Sequence, residues 1–347
     1  MITDAGPAEI VAGVALVALN AYVLLGGADF GGGVWDLLAS GPRKREQRAL
    51  VAEAIGPIWE ANHVWLILVI VLLFTCFPMA FARLSIMLHI PLSLMLIGIV
   101  LRGSAFTFRS QYGPGHGEER GEASAVSQRW GRVFAIASAG TPVLLGLCVG
   151  ALAAGSLGPP GRAGFRETFV APWLTPFGIG VGLLTLTLFA FLAAVYLTLE
   201  AREPALREDF RRRALGAAAA VFVAAFGTLG LALLGAPLMG RGLTTPPWAP
   251  ALHVATGIAA VTAIWALWRR RFRVARVAAA AQVSLILWGW ALAQYPYLIP
   301  PDLTIRATAA PRITLVLVLW ALALGALVLF PSLIYLFRVF KPAARSS

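Results

Sequence analysis

Charged residues are scarce in this sequence of 347 residues. Asp, Glu, Lys and Arg account for 13% of the positions, whereas hydrophobic residues account for 59%. A soluble globular domain carries charge at about a quarter of its positions. With a mean hydropathy of +0.80, the composition excludes a soluble domain of this length and indicates a chain that lies mainly in lipid.

Cysteine and histidine are also rare, with two and four residues respectively. Cys76 and Cys148 fall within apolar segments, so we interpret them as small buried side chains, not as a disulfide or a metal-binding pair. Membrane cytochromes often hold haem between paired histidines, but His63 and His89 lie singly in different apolar segments. We therefore expect no metal site, no cofactor-binding residue and no catalytic residue in this chain.

Long apolar runs, by contrast, are abundant. A membrane-spanning helix needs about 20 mainly apolar residues, and nine such segments occur, at 8–38, 53–80, 83–103, 130–155, 172–199, 213–236, 248–268, 273–293 and 313–337. Their continuous Ala, Leu and Val content favours helices over alternating strands. We predict an all-α integral membrane protein, a single polytopic domain over residues 1–347 with about nine transmembrane helices packed as helix bundles.

The net charge of +12 is explained by an uneven distribution of basic residues. If the N-terminus lies outside the cytoplasm, most Lys and Arg residues fall in cytoplasmic connections, including the runs Arg211–Arg213 and Arg269–Arg271. The opposite side receives only Arg83, Arg162, Arg166, Arg241, Arg306 and Arg312. The positive-inside rule therefore predicts a periplasmic N-terminus and a cytoplasmic C-terminus. We interpret both runs as topology anchors that face anionic headgroups.

Ionisable residues inside the predicted helices are functional candidates, because charge is costly to bury in a bilayer. Asp29 lies in the glycine-rich run at 26–33, where a neighbouring helix can approach closely and bury the carboxylate. In the second segment, Glu53, Glu60 and His63 share one helical face. At a rise of about 1.5 Å per residue, Asp29 and Glu60 both lie roughly 10–15 Å inside the cytoplasmic boundary.

Two interpretations of Asp29 and Glu60 are open at this point. Carboxylates at that depth, beside polar neighbours, are suited to relaying protons inward from the cytoplasm. Alternatively, the two side chains only hydrogen-bond neighbouring helices to one another.

Several motifs resemble subunit II of the cytochrome bd quinol oxidases, including the cyanide-insensitive type. They are Gly-Ala-Asp-Phe-Gly at 27–31, Gly-Pro-Ile-Trp-Glu-Ala-Asn-His-Val-Trp-Leu-Ile at 56–67, Leu-Arg at 101–102 with Ala-Phe-Thr-Phe-Arg-Ser at 105–110, and Tyr-Pro-Tyr at 295–297. The predicted helix number and orientation agree with that family. The resemblance covers essentially the whole chain.

This resemblance implies one subunit of a bacterial inner-membrane terminal oxidase that oxidises quinol, reduces oxygen to water and builds a proton gradient. In the family, haem b and haem d and the quinol-oxidising loop belong to the partner subunit I. Subunit II is implied to scaffold that partner, to help conduct protons from the cytoplasm and, in some members, to hold a structural quinone. The implied partners are subunit I and membrane quinol, and the sequence leaves a small accessory subunit open.

The resemblance also implies roles for individual residues. It assigns the proton pathway to Asp29, Glu60 and His63. The subunit interface, or a route for oxygen or quinone, is assigned to Trp59, Asn62, Trp65 and Arg102.

Three positions depart from the family pattern. Glu60 stands where relatives often have Asp, which keeps the carboxylate and extends its reach by one methylene. Thr107 stands where some members have an additional Asp. Gly26 lacks a carboxylate that some relatives carry a few residues before the position of Asp29. The proton route here is therefore expected to have fewer acidic steps, or to use water and His63.

Two other classes of function compete with the oxidase subunit. A proton-coupled transporter would use Asp29 and Glu60 as its carboxylates, although no internal repeat of the transporter kind is visible. A stand-alone dihaem cytochrome b would use His63 and His89 as ligands.

Overall fold

The structure is a computed structural model that describes residues 6–55, 59–111, 122–159 and 164–340. At residues 55, 59–61, 109–111, 122–128, 330, 333–334 and 336–340 it describes the backbone only.

Helices account for nearly all of the described chain. The long ones are α1 (Pro7–Leu37), α3 (Trp59–Cys76), α5 (His89–Gln111), α6 (Glu122–Ala153), α8 (Pro176–Glu200), α9 (Pro204–Gly235), α11 (Ala249–Trp268), α12 (Phe272–Gln294) and α14 (Arg312–Phe340). The shorter ones are α2 (Lys44–Ile55), α4 (Pro78–Met87), α7 (Phe165–Phe169), α10 (Pro237–Thr244) and α13 (Ile305–Thr308). Strands β1 (Tyr297–Ile299) and β2 (Leu303–Thr304) form a small antiparallel hairpin.

Eight helices in the described part of the chain are long and apolar enough to cross a membrane, or nine if α3 and α4 together form one bent span. This confirms an all-helical, multi-pass membrane protein. The segment predicted at 53–80 is not one continuous helix, however. Glu53 belongs to α2, and α3 ends at Cys76 before the chain bends by 117° into α4. Pro78 begins α4, and proline commonly starts a helix because it has no backbone N–H to contribute within one.

The centre of the bundle is α8, which packs against α1, α6, α9 and α12. Thr175 caps its first turn by accepting a hydrogen bond from the Gly178 N–H at 2.9 Å, and Pro176 occupies the first helical position. Its stretch from Leu188 to Val195 is entirely buried. A helix that is apolar on all sides is expected at such an enclosed position.

Ion pairs group the connections between helices into two ends of the molecule. At one end, Arg43 makes two hydrogen bonds to the Asp209 carboxylate, at 2.6 and 2.8 Å, which joins the α1–α2 connection to the start of α9. These bonds raise the pKa of the Arg43 guanidinium. At the other end, Arg83 of α4 lies 3.2 Å from the Asp302 carboxylate, beside the β-hairpin.

The buried apolar side chains form two main clusters. The first core cluster surrounds the second half of α1 and α8, and includes Phe30 and Phe189. The second core cluster surrounds the first half of α1 and includes Val11. Cys76 and Cys148 are both buried in this second cluster and both are free, which confirms their interpretation as packing residues.

Candidate functional site

The glycine-rich run of α1 allows two helices to approach this helix closely. A β-carbon added at Gly31 would lie 1.9 Å from the Phe189 carbonyl oxygen of α8, and one added at Gly33 would lie 2.1 Å from Ser138 Cβ of α6. Gly27 likewise faces the Phe189 ring. Small residues four apart permit this kind of contact between membrane helices. The predicted close packing around Asp29 is therefore confirmed.

Asp29 is enclosed by this packing. Its side chain is 5% exposed, and the amide nitrogen of Asn62 on α3 donates a hydrogen bond to one of its oxygens. Asn62 is itself only 3% exposed. A buried carboxylate is tolerated only where donors replace the lost water, and Asn62 supplies one of them.

Arg102 on α5 provides a positive charge that interacts electrostatically with the Asp29 carboxylate. The Arg102 side chain is only 2% exposed. Its Nε donates to the Ser138 hydroxyl at 3.2 Å, and its guanidinium lies over the Phe30 ring at 4.8 Å and the Phe134 ring at 5.3 Å from the centroids. Two aromatic faces thus stabilise a cation that has left water. Asp29, Asn62 and Arg102 bring three different helices together, and we call these three residues the buried polar cluster.

His63 lies beside this cluster, between α3 and α1. Its ring meets the Tyr22 and Phe30 rings edge-on, with centroids 6.1 and 6.2 Å apart. His89, by contrast, packs on Phe169 of α7, and its Nδ1 lies 2.9 Å from the Ile86 carbonyl oxygen. The two histidines therefore pack on different aromatic rings. Among the described residues there is also no group of three His, Cys, Asp or Glu that could hold a metal ion.

The other residues singled out in the sequence lie in different surroundings. Trp65 is partly buried and packs against the first core cluster. Thr107 is exposed and hydrogen-bonds the Gly103 carbonyl oxygen at 3.2 Å. The side chains of Trp59 and Glu60 lie outside the described residues, so their predicted roles stay predictions.

Two positions correct or extend the sequence interpretation. Glu53 is exposed on α2, so it does not belong to the buried polar cluster. A β-carbon at Gly26 would meet the Tyr22 ring at 2.9 Å, so a carboxylate at this position would have to displace that ring.

Sequence reasoning missed a second buried carboxylate, Asp36, which is 1% exposed near the end of α1. Its Oδ1 lies 3.8 Å from the Nε of Arg48 on α2. The spacing of seven residues from Asp29 places both carboxylates on one face of α1, and this spacing could have identified Asp36. The sequence also carries no signal for Ser138, because no motif surrounds this serine.

The buried polar cluster combines a carboxylate, an amide donor and a guanidinium inside the membrane-spanning helices. Asp29 accepts the Asn62 hydrogen bond, and Arg102 supplies a compensating positive charge nearby. Ionisable groups within membrane helices are candidates for a functional site because their burial is costly.

Comparison with known proteins identifies the family. A family profile described as "Cytochrome bd terminal oxidase subunit II" matches residues 7–340. The chain is 36% identical over 90 residues to "Cytochrome bd ubiquinol oxidase subunit 2" of Bacillus subtilis (strain 168), a stretch that covers 26% of each protein. It is 28% identical over 87 residues to "Putative cytochrome bd menaquinol oxidase subunit II" of the same organism, with 25% of each covered. The match to these relatives thus spans about a quarter of their length, whereas the family profile spans nearly the whole chain. The chain belongs to the cytochrome bd terminal oxidase subunit II family.

Proposed function

We propose that this chain is subunit II of a membrane complex that oxidises quinol and reduces oxygen to water, and that it scaffolds a larger subunit I. The single observation that carries this proposal is the family match over residues 7–340. The names of the two relatives support quinol as the electron donor, one naming ubiquinol and the other menaquinol. A structural quinone in this chain and a small accessory subunit stay predictions.

The haem groups that the family implies do not fit the described residues of this chain. Haem b is held by axial side-chain ligands, commonly histidines from neighbouring helices. His63 and His89 have different neighbours, and His253 lies 2.9 Å from the Leu243 carbonyl oxygen in a third place. In line with what the family resemblance implies, we propose that haem b and haem d are held by subunit I.

The orientation is part of the proposal. Arg43, Arg213 and Arg270 lie at the same end of the bundle, joined by contacts with Asp209, Gln47 and Glu208. An end that is rich in arginine is expected to face the cytoplasm. We therefore propose that the N-terminus lies outside the cytoplasm and the C-terminus inside it, as the positive-inside rule predicts.

We further propose that the buried polar cluster conducts protons from the cytoplasm toward the complex interior. Glu60, two residues before Asn62 on α3, would be the carboxylate that precedes or follows Asp29 along the route. Asn62 orients the Asp29 carboxylate, and Arg102 stabilises its ionised form. His63, which packs on Tyr22 and Phe30, would be a further proton-accepting group.

The family-level proposal is tested by purification of the intact complex through a tag on this chain. We expect a larger subunit with visible absorption from b- and d-type haems to accompany it, identified by mass spectrometry. A chain that leaves its native membrane alone and colourless would contradict the proposal. Proton transport by that chain in vesicles would then support the transporter alternative.

The proton-route proposal is tested by amide substitutions. Asp29→Asn and Glu60→Gln keep the size of each side chain but remove its titrating proton, so we expect quinol-driven oxygen consumption to fall by about 10²-fold, as when a positioned acid or base is lost. The matched control is Glu53→Gln, which removes an exposed carboxylate from α2. Full turnover in both Asp29→Asn and Glu60→Gln, with the haem spectrum intact, would contradict the relay and leave the family assignment standing.

A further inference from the structure

A cleft of about 470 Å³ lies at the arginine-rich end of the bundle, between the end of α8 and the turn that joins α11 to α12. Four arginines line it, and none of the described residues that line it is acidic. The lining consists of Thr198, Leu199, Arg207, Arg270, Arg271, Phe272, Arg273 and Val274. Its volume falls within the range of about 300–1,000 Å³ that is typical of small-molecule sites.

Two of these arginines are held in place by the surrounding structure. Arg207 donates two hydrogen bonds to the Ala201 carbonyl oxygen, at 2.7 and 3.1 Å, and its guanidinium lies 5.8 Å from the centroid of the Phe272 ring. Arg271 lies over the Trp265 ring at 5.3 Å. Each guanidinium retains further N–H donors for a ligand. An acidic group, Glu208, lies 3.5 Å from Arg270.

The turn between α11 and α12 has an arginine at a backbone position where glycine would be less strained. Arg270 has a φ of +58° immediately after α11, and the Arg271 N–H bonds back to the Ala266 carbonyl oxygen at 2.8 Å. This closing turn usually places glycine at the left-handed position. An arginine there costs about 1 kcal/mol in conformational energy, but it keeps a positive charge at the rim of the cleft.

The apolar surroundings indicate the kind of anion that fits. Leu199, Phe272 and Val274 line the cleft beside its arginines. Val277 continues along α12 with 70% exposure, and Trp268 at the end of α11 is 73% exposed. A charged cleft that opens onto apolar helix surfaces matches a headgroup attached to acyl chains, whereas a soluble anion would leave those surfaces unused.

We propose that this cleft is a specific site for the phosphate of an anionic phospholipid, with the acyl chains running along α11 and α12. Arg207, Arg271 and Arg273 bind the phosphate oxygens, since guanidinium groups pair with phosphate through parallel hydrogen bonds. Basic pockets between membrane helices are suited to such headgroups. A specific site is distinguished from a general attraction to the membrane surface by comparison with Arg269, which belongs to the same turn but does not line the cleft.

The test uses the intact purified complex, freed of bound lipid and titrated with phosphatidylglycerol, while binding is followed by native mass spectrometry. Removing one cleft guanidinium in Arg273→Gln is expected to weaken binding by about fivefold. The matched control is Arg269→Gln, which removes the same charge from the same turn at a residue that does not line the cleft, and its effect should stay below about twofold. Arg271→Gln provides a second cleft variant if Arg273→Gln reduces the yield of complex.

Three outcomes would overturn the proposal. Equal weakening in Arg269→Gln and Arg273→Gln would indicate diffuse attraction to the surface. Equal affinity for phosphatidylcholine would show that the headgroup's net charge is not recognised. Displacement of phosphatidylglycerol by millimolar inorganic phosphate would show that a free anion is the occupant. The readout is binding, so it does not depend on the oxidase activity proposed above.

Discussion

Helix α1 carries two buried carboxylates whose surroundings differ in their access to water. Asp36, near the end of the helix, lies 3.8 Å from Arg48, whose side chain is 37% exposed. Asp29, two turns deeper, has Asn62 and Arg102 as neighbours, which are 3% and 2% exposed. The two carboxylates share one helix face and one residue type, yet only Asp36 has a neighbouring arginine that reaches solvent.

The comparison shows that the position of a carboxylate along α1 determines which neighbouring groups can stabilise it. At the end of α1, the carboxylate is buried, but the arginine that approaches it from the next helix in sequence is itself partly exposed to water. In the interior, a donor from α3 and a cation from α5 must be positioned by the packing of three helices. For this reason our proposed proton relay includes Asp29 and not Asp36.

The strongest way to break this comparison is to remove the arginine at each carboxylate. Arg102→Met leaves Asp29 without its buried counter-charge, so we expect the complex to lose about 3 kcal/mol of stability. Arg48→Met removes a half-exposed partner and should cost less than about 1 kcal/mol. Thermal unfolding of the purified complex, followed by loss of the haem spectrum, measures both. Equal melting temperatures for the two variants would show that depth does not separate the two carboxylates.

A smaller effect is expected from the packing that buries both carboxylates. In Gly31→Ala the new methyl group meets the Phe189 carbonyl oxygen, which is backbone and cannot rotate away, so α1 must move from α8. We expect a loss of about 1–3 kcal/mol. The control on the same helix is Gly13→Ala, where no atom lies within 4 Å of the added methyl group. It should be neutral or slightly stabilising, and a matching loss there would refute the packing argument.

The smallest effect is expected in turnover from Asp36→Asn. Because Arg48 already compensates Asp36 near the helix end, we expect oxygen consumption to stay within about twofold of the unmodified complex, in contrast to the loss in Asp29→Asn. The pair of variants is compared at equal haem content. A large loss of turnover in Asp36→Asn would extend the proton route to the end of α1 and remove the functional distinction between the two carboxylates.

Much of the site was predictable because its chemistry is rare in this composition. Asp29 stood out as a carboxylate inside an apolar helix, and the adjacent glycines predicted the close approach that Gly31 and Gly33 make to α8 and α6. Asn62 and Arg102 were identified by family resemblance, and the structure places both beside Asp29. The free, buried state of Cys76 and Cys148 also followed from their apolar neighbours.

The predictions that failed concern backbone geometry and long-range contacts. The apolar run at 53–80 contains no polar break near Phe77, so hydropathy could not reveal the bend of 117° between α3 and α4. Pro78 was the available signal, but proline also occurs inside helices such as α6, at Pro142. Ser138 escaped detection because a serine becomes informative only when Arg102 is placed against it.

The sequence by itself determined that this protein lies in the membrane, that it spans it about nine times and that its basic residues gather in alternate connections. Those properties depend on the composition of the chain and on the order of its apolar and basic segments, so they can be read without knowing how the helices pack. Only the tertiary structure decided which polar residues meet, because Asp29, Asn62 and Arg102 come from three helices whose rotation about their axes is set by packing. The same packing gathers Arg207 and the arginines at 270–273 around one cleft, although more than 60 positions separate them along the chain.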